Sequence, residues 1–215
     1  MSVLLAFCSL YYELAFGQVL SVCLGGTKNQ YFLTIGIFTC FLGFGSLFQK
    51  RFRNRYGLKK TFLTVELLLT ILGSMGPFVI TWILSSGGNL MGGFGTILAY
   101  TLIASVGFLS GFEIPCLFSM APDNHGKVLA FDYLGMLLAT VAFPFLILPH
   151  LGTGAGTLLV AGANAFVLLW IRSPDASLLE KTFTRPILVF VFASIIFFRS
   201  QINEGLSLLY LKDLM

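Results

Sequence analysis

The chain has 215 residues, of which 57% are hydrophobic and only 10% charged, with a formal net charge of +4. A soluble domain of this size has no interior large enough to hide so much apolar surface, which argues against a water-soluble enzyme or binding module and predicts a polytopic membrane protein. Apolar runs of about 20 residues, the length that crosses a hydrocarbon core, recur throughout and leave no room for a soluble domain of ordinary size.

The first predicted span covers residues 3–24. It lacks the basic n-region and small-residue cleavage site of a signal peptide and carries Glu13 at its centre, so it reads as a retained helix. Further spans are expected over 30–49, 58–84, 94–120, 128–149, 153–171 and 186–209. The fold class is therefore all-α, a polytopic transmembrane bundle of about seven helices, and residues 1–215 read as one domain. The seventh has two readings, a crossing helix or an interfacial one. Its strictly apolar core, PILVFVFASIIFF, is short, and the mixed stretch RSQINEGLSLLYLKDLM follows it.

Lys50, Arg51, Arg53, Arg55, Lys59 and Lys60, between the second and third spans, are six of the thirteen basic residues. Such an excess in a short loop belongs on the cytoplasmic side, which puts the N-terminus there too. Lys127 and the segment with Arg172, Lys181 and Arg185 fall on the same side, while SSGGNLMGG and LPHLGTG, both without Lys or Arg, fall outside. The basic loop reads as a topology signal in contact with anionic lipid headgroups, and no nucleic acid is expected as partner.

Counted at about 1.5 Å per residue from the cytoplasmic ends, Glu13 lies roughly 15 Å deep, Glu66 about 12 Å, Glu113 about 10 Å and Asp132 about 7 Å. An acidic residue at the centre of an inserted helix costs about 2.5 to 3.5 kcal/mol, so such groups turn inward and find partners. The first six spans offer no Lys or Arg at those depths. Pro115 frees the carbonyl of Gly111 beside Glu113, and Pro144 frees that of Thr140, marking helix kinks. Tyr12, next to Glu13, and Tyr133, next to Asp132, supply phenols and aromatic faces suited to a cation. Two readings stand: a cation or ligand site, or a hydrogen-bond network that only holds the bundle together.

Gly43, Gly45, Gly107 and Gly111 read as close helix contacts, and Asn164 as an interhelical hydrogen-bond donor. Cys8, Cys23, Cys40 and Cys116 show no CxxC and no His at ligand spacing, so they read as buried hydrophobes with no metal site and no disulfides. His125 and His150 read as solvated or interfacial, and GGFG at 92–95, without a preceding strand, as a flexible loop. No cofactor is expected.

Taken together, SLYYELAFGQVLSVCLGG, YFLTIGIFTCFLGFGSLF, GFEIPCLF and VLAFDYLGMLLATVAFPFLILPHLG resemble the membrane domain found ahead of the catalytic domain in bacterial membrane-fused spermidine synthases, the polyamine aminopropyltransferases. The resemblance covers about residues 4–170, with 186–215 as a last helix and linker-like tail. It implies that Tyr12, Glu13, Gly43, Gly45, Ser46, Glu113, Pro115, Asp132, Tyr133, Gly135, Pro144 and Pro149 carry the family's membrane signature, and it implies a bacterial inner membrane as the location. The fused enzymes continue into an α/β nucleotide-binding domain with a Gly-rich loop for decarboxylated S-adenosylmethionine, and no such loop follows here. The expectation is thus a noncatalytic, accessory subunit of a larger membrane protein complex and not an enzyme. The alternatives are a binder or transporter of a polyamine or other cation, and a membrane anchor for a separate soluble aminopropyltransferase.

Overall fold

A computed structural model describes residues 1–86 and 92–171, and all regular structure among them is helical. The elements are α1 (Ser2–Leu24), α2 (Thr27–Tyr56), α3 (Leu58–Ser86), α4 (Gly92–Ser110), α5 (Glu113–Met120), a 3-10 turn (Pro122–Asn124), α6 (His125–Ala142), a π-helical turn (Phe143–Ile147) and α7 (Leu148–Ile171). Five stretches are long and apolar enough to cross a membrane: Ser2–Leu24, Lys28–Tyr56, Leu58–Leu84, Gly93–Met120 and Pro122–Leu168. The seventh expected helix lies outside the described residues.

Glycines set the breaks. Gly25 and Gly26 adopt φ of 68° and 62° and end α1, and Gly57, at φ 87°, closes α2 with its N–H on the Arg53 carbonyl. The 47-residue stretch Pro122–Leu168 would be about 70 Å long if straight, more than twice a hydrocarbon core. It turns at Gly152, where φ is 69° and ψ 174°, so the two expected spans 128–149 and 153–171 are separate limbs. Pro144 lies in the π-helical turn, where the Leu148 N–H reaches back to the Phe143 carbonyl. The fourth expected span is broken at residues 111–112, ahead of Pro115. That proline is the third residue of α5, in a first turn where a missing N–H costs little, and so the kink precedes it.

α1 is the hub. Two thirds (67%) of its most apolar window is buried, against 17% for α2. Ser2 Oγ donates to the Val128 carbonyl at the start of α6, and the carbonyl of Val3 sits against Gly135. Tyr11 meets Phe143 edge-on with ring centroids 5.3 Å apart. α6 thus runs parallel to α1. On α7, Gly156 lies against Tyr11, and the Cys8 thiol faces the Val160 carbonyl at 3.7 Å, so that limb runs antiparallel.

α2 and α4 cross through glycines with no room for a methyl group. A Cβ on Gly45 would strike the Phe108 carbonyl, one on Gly107 the backbone of Phe38, and one on Gly111 the Leu42 carbonyl. Gly43 does not share this role: it is exposed, with open space around it. Close packing that the sequence does not single out occurs at Gly73 and Gly76 on α3, which receive the rings of Tyr12 and Phe16.

Large apolar side chains cover the outside, with Phe32, Leu47, Trp82, Phe94 and Phe145 all at least 65% exposed. Polar groups sit inside: Glu13, Glu66, Thr70, Asp132, Thr157 and Asn164 are buried. The interior is still mostly apolar, so it is the large apolar exterior and the buried carboxylates that set the bundle apart from a protein in water.

Candidate functional site

One end of the bundle gathers the starts of α1, α3 and α6 with the ends of α2, α5 and α7. Leu5, Phe62, Cys116, Leu117 and Val167 pack as a cluster there, and Arg53 Nη1 donates to Ser119 Oγ. The residues expected in a basic loop are instead helical. Lys50, Arg51, Arg53 and Arg55 belong to the last two turns of α2, and Lys59 and Lys60 to the first turn of α3, with Gly57 as the only residue between. Long basic side chains are good helix formers and complement the C-terminal end of α2, so the helix runs on through them. All but the half-buried Arg53 are exposed.

All four predicted carboxylates are buried at 8% exposure or less, Glu66, Glu113 and Asp132 in the half of the bundle nearer this end and Glu13 at the middle of α1. Three come together. Glu113, the first residue of α5, lies within electrostatic reach of Glu66 on α3 and of Asp132 on α6. Glu13 lies on α1, one turn on from Ser9.

Tyr12 joins the site. It is 1% exposed and lies within electrostatic reach of Glu66 and Glu113. Tyr133 does not join, because it follows Asp132 around the helix and turns outward at 60% exposure. Ser9 and Cys8 carry no site signal in the sequence, yet both lie on the face of α1 that looks into the site: Ser9 is beside Glu113, and Cys8 lies within electrostatic reach of Glu113 and Glu66. The i, i+4 spacing of Cys8 to Tyr12 is the only trace of this in the sequence.

The polar atoms here are underused. The hydroxyls of Ser9 and Tyr12, both oxygens of Glu66, Oδ2 of Asp132 and Oδ1 of Asn164 have no hydrogen-bond partner among the described residues. Asn164 and Ser9 are oriented toward Glu66 and Glu113 but fall short of hydrogen-bond geometry. A buried polar group left unpaired costs about 1 to 3 kcal/mol, so a network that served only to hold helices together would be better closed than this one. Among the described residues no set of three His, Cys, Asp or Glu side chains is placed to hold a metal ion.

No protein-family model matches the chain, and no solved structure does. Curated relatives do match. A polyamine aminopropyltransferase of Leptospira interrogans is 32% identical over 169 residues, covering 76% of this chain and 32% of the relative. One from Oceanobacillus iheyensis is 28% identical over 178 residues, 78% of this chain and 34% of the relative, and polyamine aminopropyltransferase 2 of Streptomyces coelicolor is 33% identical over 175 residues, 75% and 31%. The chain spans about a third of the length of the curated relatives it matches.

These relatives overturn the expectation that the chain is not an enzyme. That expectation drew on the lack of a Gly-rich loop after the last helix, and the end of this sequence is no ground for it. The proteins similar to three quarters of the chain are named as polyamine aminopropyltransferases, an enzyme name, so similarity gives no support to a noncatalytic reading.

Proposed function

We propose that this chain is the membrane-embedded helical part of a polyamine aminopropyltransferase, seated in a bacterial inner membrane. Its N-terminus and the basic ends of α2 and α3 face the cytoplasm. The catalytic unit works on that same side, carried on the same polypeptide or on a separate one. The observation that carries this reading is the similarity of three quarters of the chain to proteins bearing that name.

The membrane location is supported by the five stretches long enough to cross and by the aromatic and aliphatic side chains turned outward, which are stable against lipid and not against water. The orientation is supported by the cluster of six basic side chains at one end. There they meet anionic headgroups, which attract each such charge by about 1 kcal/mol. Within the enzyme the bundle is accessory to the chemistry: it holds the catalytic unit at the membrane, and the lightly buried α2 offers a face on which other membrane subunits pack.

The test is to follow aminopropyl transfer to putrescine in host membranes with and without the gene. The chain is expected to stay in the membrane through an alkaline carbonate wash, and membrane-associated transfer is expected to fall at least tenfold in the deletion strain. A chain released by carbonate, or transfer unchanged by the deletion, overturns the proposal.

A further inference from the structure

Glu66, Glu113 and Asp132 bring three carboxylates from three helices into one buried region, each at most 5% exposed. Among the described residues no Lys, Arg or His is a partner of any of them. Two more oxygens facing the same region are also unpaired among the described residues: the phenol oxygen of Tyr12, itself 1% exposed, and Oδ1 of Asn164, also 1% exposed. Ser9 and Tyr12 add hydroxyls that can donate as well as accept, but the unpaired carboxylate and amide oxygens outnumber them, and such oxygens favour a guest that donates hydrogen bonds and carries positive charge.

The spacing narrows the guest. No three acidic, His or Cys side chains among the described residues converge as ligands of one metal ion. The groups stand instead on four separate helices: Tyr12 on α1, Glu66 on α3, Glu113 at the start of α5 and Asp132 on α6. A compact ion meets one such group at a time, whereas an extended cation meets them in turn. Each ammonium supplies three donors and no acceptor, which matches carboxylate, phenol and amide oxygens.

We propose that the region between α1, α3, α5 and α6 is a binding site for an extended aliphatic cation with two or more protonated amines, one held by Glu66 and Tyr12 and another by Asp132, with Glu113 between them. The proposal deepens the reading above by giving the bundle a ligand, and it rests on that reading for the choice of probe.

Labelled spermidine is titrated against the purified full chain in lipid nanodiscs, with butylamine, Na+ and Mg2+ as competitors, and each protein's melting temperature is recorded. Spermidine is expected to bind saturably and to raise the melting temperature. Glu113→Gln and Asp132→Asn are expected to weaken it tenfold or more each, and Tyr133→Phe, on the outer surface, to leave it unchanged. Butylamine, with a single amine, is expected to compete at least tenfold less well. If a carboxylate variant does not fold, the contrast between spermidine and butylamine on the unmodified chain decides. Absence of saturable binding, equal competition by butylamine or Na+, or folded variants that bind as before would each overturn the site. Transfer activity that still depends on the chain while spermidine does not bind would end this proposal and leave the proposed function standing.

Discussion

The side-chain amide of Asn164 on α7 donates a 3.3 Å hydrogen bond to Thr70 Oγ1 on α3, 94 positions away, and that hydroxyl donates in turn to the Glu66 carbonyl at 2.8 Å. The clasp fixes the two helices beside the carboxylates. Asn164→Ala removes it and leaves a small void, and an interhelical hydrogen bond in an apolar setting contributes about 0.6 to 2 kcal/mol. A lower melting temperature in detergent is expected. A melting curve identical to that of the unmodified chain would show that the clasp contributes nothing.

The α2–α4 crossing makes a sharper prediction. Gly45→Ala and Gly111→Ala each drive a methyl group into a facing carbonyl, while Gly43→Ala meets open space. Overpacking of this kind costs about 1 to 3 kcal/mol, and more where the neighbour is backbone. After heating, size-exclusion chromatography is expected to show early aggregation of the first two variants and none of the third. Equal behaviour of all three would contradict the crossing.

Gly152 adopts a left-handed φ of 69° between the two limbs of the α6–α7 hairpin. Gly152→Ala is expected to cost on the order of 1 to 2 kcal/mol through backbone strain alone. Gly126, helical and unobstructed, serves as the matched control, since alanine there is expected to be neutral or slightly stabilising. Equal melting temperatures for the two alanine variants would mean that the turn carries no strain.

Orientation is open to direct labelling. In a chain freed of its own cysteines, Phe94→Cys is expected to react with an impermeant maleimide added outside cells, and Asn54→Cys only after permeabilisation. Replacing the six basic residues from Lys50 to Lys60 with Gln is expected to mix the two patterns. The reverse labelling in the unmodified background would sink the proposed topology.

Hydropathy located the described helices well because apolar length is a property of contiguous residues. The burial of Glu13, Glu66, Glu113 and Asp132 was legible for a related reason, since a carboxylate that deep has nowhere to go but inward. What escaped was azimuth. Gly43 and Gly45 lie two positions apart, so they point to nearly opposite sides of α2, and a helix apolar all round gives no stripe from which to tell them apart. Tyr133 was misplaced for the same reason, because adjacency in sequence to Asp132 puts it about 100° away on the helix. Ser9 escaped because a lone serine in an apolar run is ordinary until its neighbours across the bundle are known. The continuation of α2 to Tyr56 was hidden by treating charge as a sign of loop, when Lys and Arg are at home in a helix end.

The placement of α1 has a consequence in time. Of the described helices it is made before the others, and two that sheathe it, α6 and α7, follow the rest: Ser2 waits for Val128, Cys8 for Val160. At about 5 to 20 residues per second, the ribosome needs roughly 10 to 30 seconds to deliver both limbs of the hairpin after α1 has emerged. Over that interval Ser9, Tyr12 and Glu13 lack their final cover, and whatever machinery receives the nascent chain must shelter them. Chains stalled after residue 120 are expected to crosslink from Ser9 to such a helper, and chains stalled after residue 200 to have let it go. Among the described helices, the earliest to leave the ribosome is one of the last to be finished.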